Sequence, residues 1–379
     1  MNVIVLGAGR VGSAIAIDLA ADPQFSVTVA DADPKALGRL SERAAIETIA
    51  QDLSDADGVS AWVGRFELAV EAMPGFLGFR TLEAVIGAGV NVVDIAFFPE
   101  DPFLLNDVAK EKGVTAIVDF GVAPGMSNLL VGHVDALLDR TEAVAIYVGG
   151  LPAIRERPYE YKAVFSPIDV IEEYTRPARF VEHGDVVSRP ALSDLELLDF
   201  AGIGTLEAFL TDGLRTLIET IDAPTMVEKT LRYPGHAERI ALLRDSGFLD
   251  TEPIDVDGAK IRPIDVTTRL LFPRWELKPG EADLTVMRIL IEGERAGNRL
   301  RTTYDLLDRY DAETDTASMA RTTGYAATMA VRLLANGRYD RPGVHPPEEI
   351  GRDPDVVRFV LDGLRDRGID FRETITPLG

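Results

Sequence analysis

Cysteine is absent from all 379 residues. That excludes disulfides, thiolate nucleophiles and metal sites built on sulfur. Histidine is scarce: only His133, His183, His236 and His345 occur, and no two stand at helical ligand spacing, so no metal centre is expected. No stretch approaches about 18 uninterrupted apolar residues, which argues against a membrane span. The opening MNVIVLGAGR has no basic region ahead of an apolar run, so it does not read as a secretory signal, and a cytoplasmic protein is expected. Lysine is sparse, seven residues against thirty-two arginines, and acids outnumber bases 62 to 39. A net charge of −23 repels nucleic acid and anionic lipid, so neither is an expected partner. The acid excess is spread along the chain, as in a soluble acidic protein or one from a salty cytoplasm.

What is present is globular material, 46% hydrophobic and 27% charged. The length suits two domains of unequal size. Over the first 120 or so residues short apolar runs recur at Val3–Leu6, Val27–Ala30, Leu68–Met73, Val90–Ile95 and Val114–Val118. Between them lie segments with helical spacing, such as Val11–Leu19, Leu82–Ile86 and Leu104–Ala109. Strand alternating with helix predicts a doubly wound parallel sheet. After Pro124 the rhythm changes. A helix is expected over Met126–Leu138, and a strand over Val144–Val148 that Gly149-Gly150-Leu151-Pro152 breaks. A hairpin is expected from Val286–Ile291 and Leu300–Tyr304, turning at Glu294–Arg299. Helices return at Ser318–Leu334, with Asn336-Gly337 as a stop, and near Pro354–Arg367.

Gly7-Ala8-Gly9-Arg10-Val11-Gly12 has the pattern GxGxxG. It follows the first apolar run directly and opens a helix with Ala14, Ile15, Ile17 and Leu19 on one side. Gly7 allows the tight turn, Gly9 leaves room for a pyrophosphate, and Gly12 lets the helix press on the strand. The N–H groups at Arg10 and Val11 would face the phosphates. Asp31 ends the second run nineteen residues past Gly12, where a carboxylate meets the ribose hydroxyls and repels a 2′-phosphate. These residues predict a Rossmann domain and NAD as cofactor, with Lys35 or Arg39 able to moderate the preference. Asp52 is a candidate for the adenine or for a helix cap, and Met73 and Pro74, at the end of the third apolar run, complete the candidate cofactor set. Asp119-Phe120-Gly121 matches a kinase tripeptide, but the companion strand lysine and HRD loop are missing.

The segment from Asp119 to Asn128, DFGVAPGMSN, resembles the saccharopine dehydrogenase superfamily and, within it, the lysine 6-dehydrogenases most. Four further blocks agree in order: Tyr147–Pro152, Leu206–Phe209, Leu231–Glu238 and Met319–Tyr325. The resemblance implies a Rossmann domain, residues 1–124 plus 318–379, interrupted by an α+β substrate and dimerisation domain, residues 125–317. It implies NAD-dependent oxidative deamination of the ε-amine of L-lysine or a related amino acid, giving a semialdehyde that cyclises. It also implies a homodimer or larger assembly. Enzymes handling saccharopine itself carry an acid where this chain has Ala123, which argues against that substrate. Phe97-Phe98-Pro99-Glu100 departs from the glycine-rich segment of lysine 6-dehydrogenases. A reductase joining an amine to an aldehyde, and a non-catalytic NAD-binding protein, remain as alternatives.

An amino-acid substrate needs a partner for its carboxylate, and arginine offers two parallel donors. Arg232, Arg321 and Arg215 are the candidates, with ion pairs as their alternative use. Amine oxidation needs an uncharged nitrogen, hence a base, and His236 after Pro234-Gly235 is the first choice. Asp94 and Asp119 end apolar runs and are expected at the ligand crevice, as catalytic acids or as turn caps. Tyr147 and Gly149–Pro152 are expected to line the domain junction near the nicotinamide, with Tyr147 a candidate substrate contact.

Overall fold

The computed structural model describes residues 1–278 and 280–379. The chain forms two compact units, Met1–Ala136 with Ala320–Asp370, and Leu137–Met319 with Phe371–Gly379. The first unit is a seven-stranded sheet. Its strands are β1 (Asn2–Leu6), β2 (Ser26–Asp31), β3 (Glu47–Ala50), β4 (Leu68–Glu71), β5 (Asn91–Asp94), β6 (Thr115–Ile117) and Gly343–His345. Their order is β3-β2-β1-β4-β5-β6 followed by Gly343–His345, and every pairing is parallel. This is the doubly wound order, with the direction of winding reversing at β1 and β4. Val3 to Leu6 are wholly buried. Helices cover both faces of such a sheet, so its central strands read as unbroken apolar runs instead of alternating ones.

The second unit is built on a nine-stranded mixed sheet. Thr225–Arg232 runs parallel to Arg140–Pro152, which pairs on its other side, antiparallel, with Asp283–Arg295. Asn298–Arg309 follows, joined to it by Ala296-Gly297, both with positive φ (51° and 75°), so the expected hairpin forms on a two-residue turn. Tyr174, Trp275, Ala237 and Ile240, from the helices Pro167–Thr175, Pro263–Trp275 and His236–Asp245, pack with Phe209 on one face. Tyr147, Leu231, Tyr233 and Val286 form the core of the other face.

Two expectations are corrected here. Gly149-Gly150 does not break its strand, which continues to Pro152. A Cβ on Gly149 would lie 2.5 Å from the Leu231 carbonyl oxygen, and one on Gly150 2.4 Å from Val164. These glycines therefore admit close neighbours within a continuous strand. The unit boundary also differs. The helix Met126–Asp135 belongs with the first unit, and Arg372–Pro377 pairs with Asn298–Arg309, which otherwise has an open edge. Among the described residues no helix is long and apolar enough to cross a membrane.

Candidate functional site

The glycine-rich turn forms where β1 ends. Gly7 has φ 108°, and its N–H donates to the Ala30 carbonyl at 2.8 Å. A Cβ on Gly12 would sit 2.1 Å from the Gly7 carbonyl oxygen, so this helix–strand approach excludes any side chain there. At Gly9 a Cβ would meet nothing within 4 Å. That open side lies at the head of the helix Arg10–Ala20, which has no side-chain cap and no acid in its first turn. A helix N-terminus without an internal anion is the setting that takes a pyrophosphate, and the loop fits a dinucleotide.

Asp31 ends β2 and reaches back to this loop. Its Oδ2 accepts the Ala8 N–H at 2.6 Å and its Oδ1 the Asp33 N–H at 2.7 Å. A carboxylate oxygen has more than one acceptor direction, so both oxygens keep capacity for ribose hydroxyls. Lys35 and Arg39 lie in the next helix, Pro34–Arg43. Met73 and Pro74 are half-buried after β4, and a Gly7 Cβ would come within 3.7 Å of the Met73 sulfur, so they flank the turn. Asp52 is exposed and holds its own turn: its Oδ1 accepts the Ser54 hydroxyl at 2.7 Å and N–H at 2.9 Å, and these bonds lower its pKa. The cap of the helix Ala56–Val63 is Asp55, not Asp52.

Asp94 ends β5, and Asp119 follows β6 with φ 53°. Both are buried at the carboxyl edge of the sheet, where ligands bind in this architecture. Asp94 Oδ1 accepts the Ala96 N–H at 2.9 Å. Its register partner is Glu71 at the end of β4, which the sequence reading passed over. Glu71 is 0% exposed, and its two oxygens find no hydrogen-bond partner among the described residues. Burial, then the neighbouring Asp94 charge, raise its pKa well above the usual carboxyl value, which favours the protonated form.

In the second unit Arg232 and His236 come together, as the sequence suggested, inside a buried cluster. Arg232 Nη2 donates to Glu173 at 2.9 Å, Nη1 to the Leu231 carbonyl at 3.0 Å, and Nε to the Tyr174 hydroxyl at 3.3 Å. Its guanidinium carbon lies 4.7 Å from the centre of the Tyr161 ring. His236 Nε2 is 2.9 Å from the Tyr174 hydroxyl, and Nδ1 is 3.3 Å from the Tyr159 carbonyl. His236 is 1% exposed, and burial together with the Arg232 charge pushes its pKa down to about 3. Held so, the neutral imidazole orders Tyr174 and Arg232, and it is not poised to take a proton near neutral pH. The helix it opens is capped from the next strand: Glu207 accepts the Gly235 N–H at 3.2 Å and the Ala237 N–H at 3.0 Å.

Tyr147 does not join Arg232. It pairs in register with Lys229, which puts it on the opposite sheet face from Glu228, Thr230 and Arg232. Burial and then Glu196 push its hydroxyl up to about 12. Arg321 donates to the Arg367 carbonyl within the first unit. Arg215 is buried with φ 55°. Glu173 and Glu228 were missed; the signal for the latter was a strand whose alternate positions, Glu228, Thr230 and Arg232, are all polar. Among the described residues no group of His, Asp and Glu is placed to hold a metal ion.

Residues 3–117 match the saccharopine dehydrogenase NADP-binding domain and residues 121–369 the saccharopine dehydrogenase C-terminal domain. Carboxynorspermidine synthase of Vibrio cholerae is 24% identical, over 96% of each chain. The mitochondrial alpha-aminoadipic semialdehyde synthase of Bos taurus is 22% identical over 98% of this chain, which spans 47% of that longer protein. Saccharopine dehydrogenase (L-Glu forming) from Saccharomyces cerevisiae superposes with a TM-score of 0.80 over 99% of each chain, at 20% identity. Homospermidine synthase of Legionella pneumophila, solved with NAD, gives 0.69 over 98% of this chain and 91% of its own, at 12% identity. With the two domain matches together covering nearly the whole sequence, the chain belongs to the saccharopine dehydrogenase family.

Proposed function

We propose that the protein is an NAD-dependent oxidoreductase of C–N bonds that oxidises the ε-amine of L-lysine or a related amino acid. The observation that carries the cofactor assignment is the open side of Gly9 at an uncapped helix head, next to the Asp31 carboxylate. Bound there, the dinucleotide would supply a hydride acceptor. Asp31 favours NAD: a carboxylate at the ribose repels a 2′-phosphate by like charge. The family's first domain is described as NADP-binding, so this preference would be a property of Asp31 in this chain. Asp94 and Asp119, at the carboxyl edge, are the proposed contacts for an ammonium group, and the second unit is the proposed substrate domain.

The test is a panel of amino acids and amines with NAD+, followed through the absorbance of the reduced nicotinamide at alkaline pH. Turnover with L-lysine or a near relative is expected, and silence across the panel would remove the assignment. Asp31→Ala should weaken NAD binding more than NADP binding; equal losses would show that Asp31 does not meet the ribose. The full-length similarity to carboxynorspermidine synthase favours one second reading, the reverse chemistry. It predicts oxidation of reduced cofactor only when an amine and an aldehyde are supplied together.

A further inference from the structure

Residues 251–260 are all exposed, yet they form a hairpin. Its strands, Ile254–Val256 and Ala259–Ile261, pair with each other and with no other strand among the described residues. Asp257 and Gly258, with φ 52° and 86°, make the two-residue turn, and a Cβ on Gly258 would meet nothing within 4 Å. Ile254 stands opposite Ile261 and Val256 opposite Ala259, so one face of the hairpin is apolar throughout, while Asp255 and Lys260 take the other. Two strands alone bury too little to hold together in water, so this face calls for a cover. A surface of matching character lies at the hairpin's foot. There the Ile264 N–H donates to the Asp250 carbonyl at 3.1 Å, and the Thr267 hydroxyl donates to the Phe248 carbonyl at 2.7 Å. Phe248 is thereby held at the start of the helix Pro263–Trp275. On the solvent side of that helix Val266, Leu270 and Arg274 recur at every fourth position, with Arg269 beside them. Phe248 is 52% exposed and Leu270 63%. Sixteen large apolar side chains are exposed among the described residues, and six of them fall between Leu242 and Leu270, which makes this segment an apolar surface instead of a scatter of single residues.

We propose that this hairpin is an arm exchanged between two copies of the chain: each copy's Ile254, Val256 and Ala259 lie on the seat formed by Phe248, Val266 and Leu270 of the other. Arm and seat belong to the same chain, so a two-fold axis satisfies both at once and every contact is made twice. That reciprocity points to a second copy and not to a different protein. Charge points the same way. The chain carries −23, and two copies repel each other over most of their surfaces. From His236 to Trp275, however, six basic residues stand against seven acids, so this stretch is close to neutral and lets two copies approach. Opposite charges also meet in the exchange. The nearby acids Asp245 and Asp265 are taken by Arg244 and Arg262. That leaves Arg269 and Arg274 beside the seat, and Asp257 at the arm's tip, without an ion pair among the described residues.

Sedimentation velocity on the full chain should show a species of twice 41.2 kDa that dissociates on dilution. The arm variant, Ile254→Ser with Val256→Ser, and the seat variant, Leu270→Glu, change only exposed side chains, so each should keep the wild-type circular dichroism. Each should raise the dimer dissociation constant on the order of 10²-fold or more, because two copies of every lost apolar contact are removed together. An equimolar mixture of the two variants should dimerise more tightly than either alone, since the seat variant's intact arm meets the arm variant's intact seat. A wild-type chain that is monomeric across the dilution series overturns the proposal, as does wild-type assembly in both variants. Loss in the arm variant alone would mean that arms pair with arms, and loss in both without recovery on mixing would mean that arm and seat do not meet; either result overturns the exchange.

Discussion

Glu71 sits at the end of β4 with Leu6 and Asp94 as its neighbours across the sheet. Its folded-state pKa lies well above the unfolded value of 4.5 because burial disfavours the charge. The unfolded chain therefore gives up this proton first as pH rises. Below about pH 4.5 the group costs nothing on that account. Above it, stability falls by about 1.4 kcal/mol per pH unit until the folded-state pKa is reached, then levels. Glu71→Gln keeps the shape and removes the ionisation, so urea unfolding of the variant should lose that downward slope above pH 5. Parallel curves for the two proteins would show that Glu71 does not hold its proton. At the loop, Gly12→Ala brings a Cβ to 2.1 Å from a backbone oxygen. Nucleotide binding measured by calorimetry should be lost, whereas Gly9→Ala, facing open space, should fold with unchanged stability and bind the dinucleotide more weakly.

Helices and strands carry the next set of consequences. The helix His236–Asp245 begins on Glu207, whose carboxylate takes two of its first N–H groups. Glu207→Ala should cost about 1–2 kcal/mol, the usual range for a lost cap, and lower the thermal midpoint by several degrees. No change in midpoint would mean that water replaces the cap. Gly149→Ala sets a methyl group against the Leu231 carbonyl, and overpacking of this kind costs about 1–3 kcal/mol. The parallel strands and the glycine turn were legible in the sequence because period and spacing are local properties. Two of the seven strands, Glu47–Ala50 and Gly343–His345, were not: the first is mostly exposed and carries no apolar run, and the second is three residues long with no apolar run around it. The partners of Arg232 were hidden for a related reason: Glu173 and Tyr174 stand 59 and 58 positions away along the chain. The sheet face that Tyr147 takes was not legible because a motif names residues in a row, while a strand sends neighbours to opposite faces.

Over the whole molecule the charge of −23 acts as a diffuse self-repulsion. Salt shortens its range, from about 10 Å at 0.1 M to about 3 Å at 1 M. The thermal midpoint should therefore rise as KCl is raised across that interval, and a flat or falling midpoint would show that local pairs outweigh the net charge. One such pair is well sheltered: Asp18 takes Arg332 at 2.8 Å and Arg367 at 2.7 Å, joining the first helix to segments more than 300 residues later.

That long reach in sequence bears on how the protein is made. The polypeptide passes between the units three times, after Ala136, Met319 and Asp370. Neither unit contains a single uninterrupted stretch, and the Arg372–Pro377 strand that finishes one sheet is synthesised after the helices that finish the other unit. Early strands must stay incomplete, with edges uncovered, until the much later segments Gly343–His345 and Arg372–Pro377 have been synthesised. Interleaving of this kind leaves apolar surface and strand edges uncovered for longer during synthesis, the condition under which larger chains are prone to aggregate.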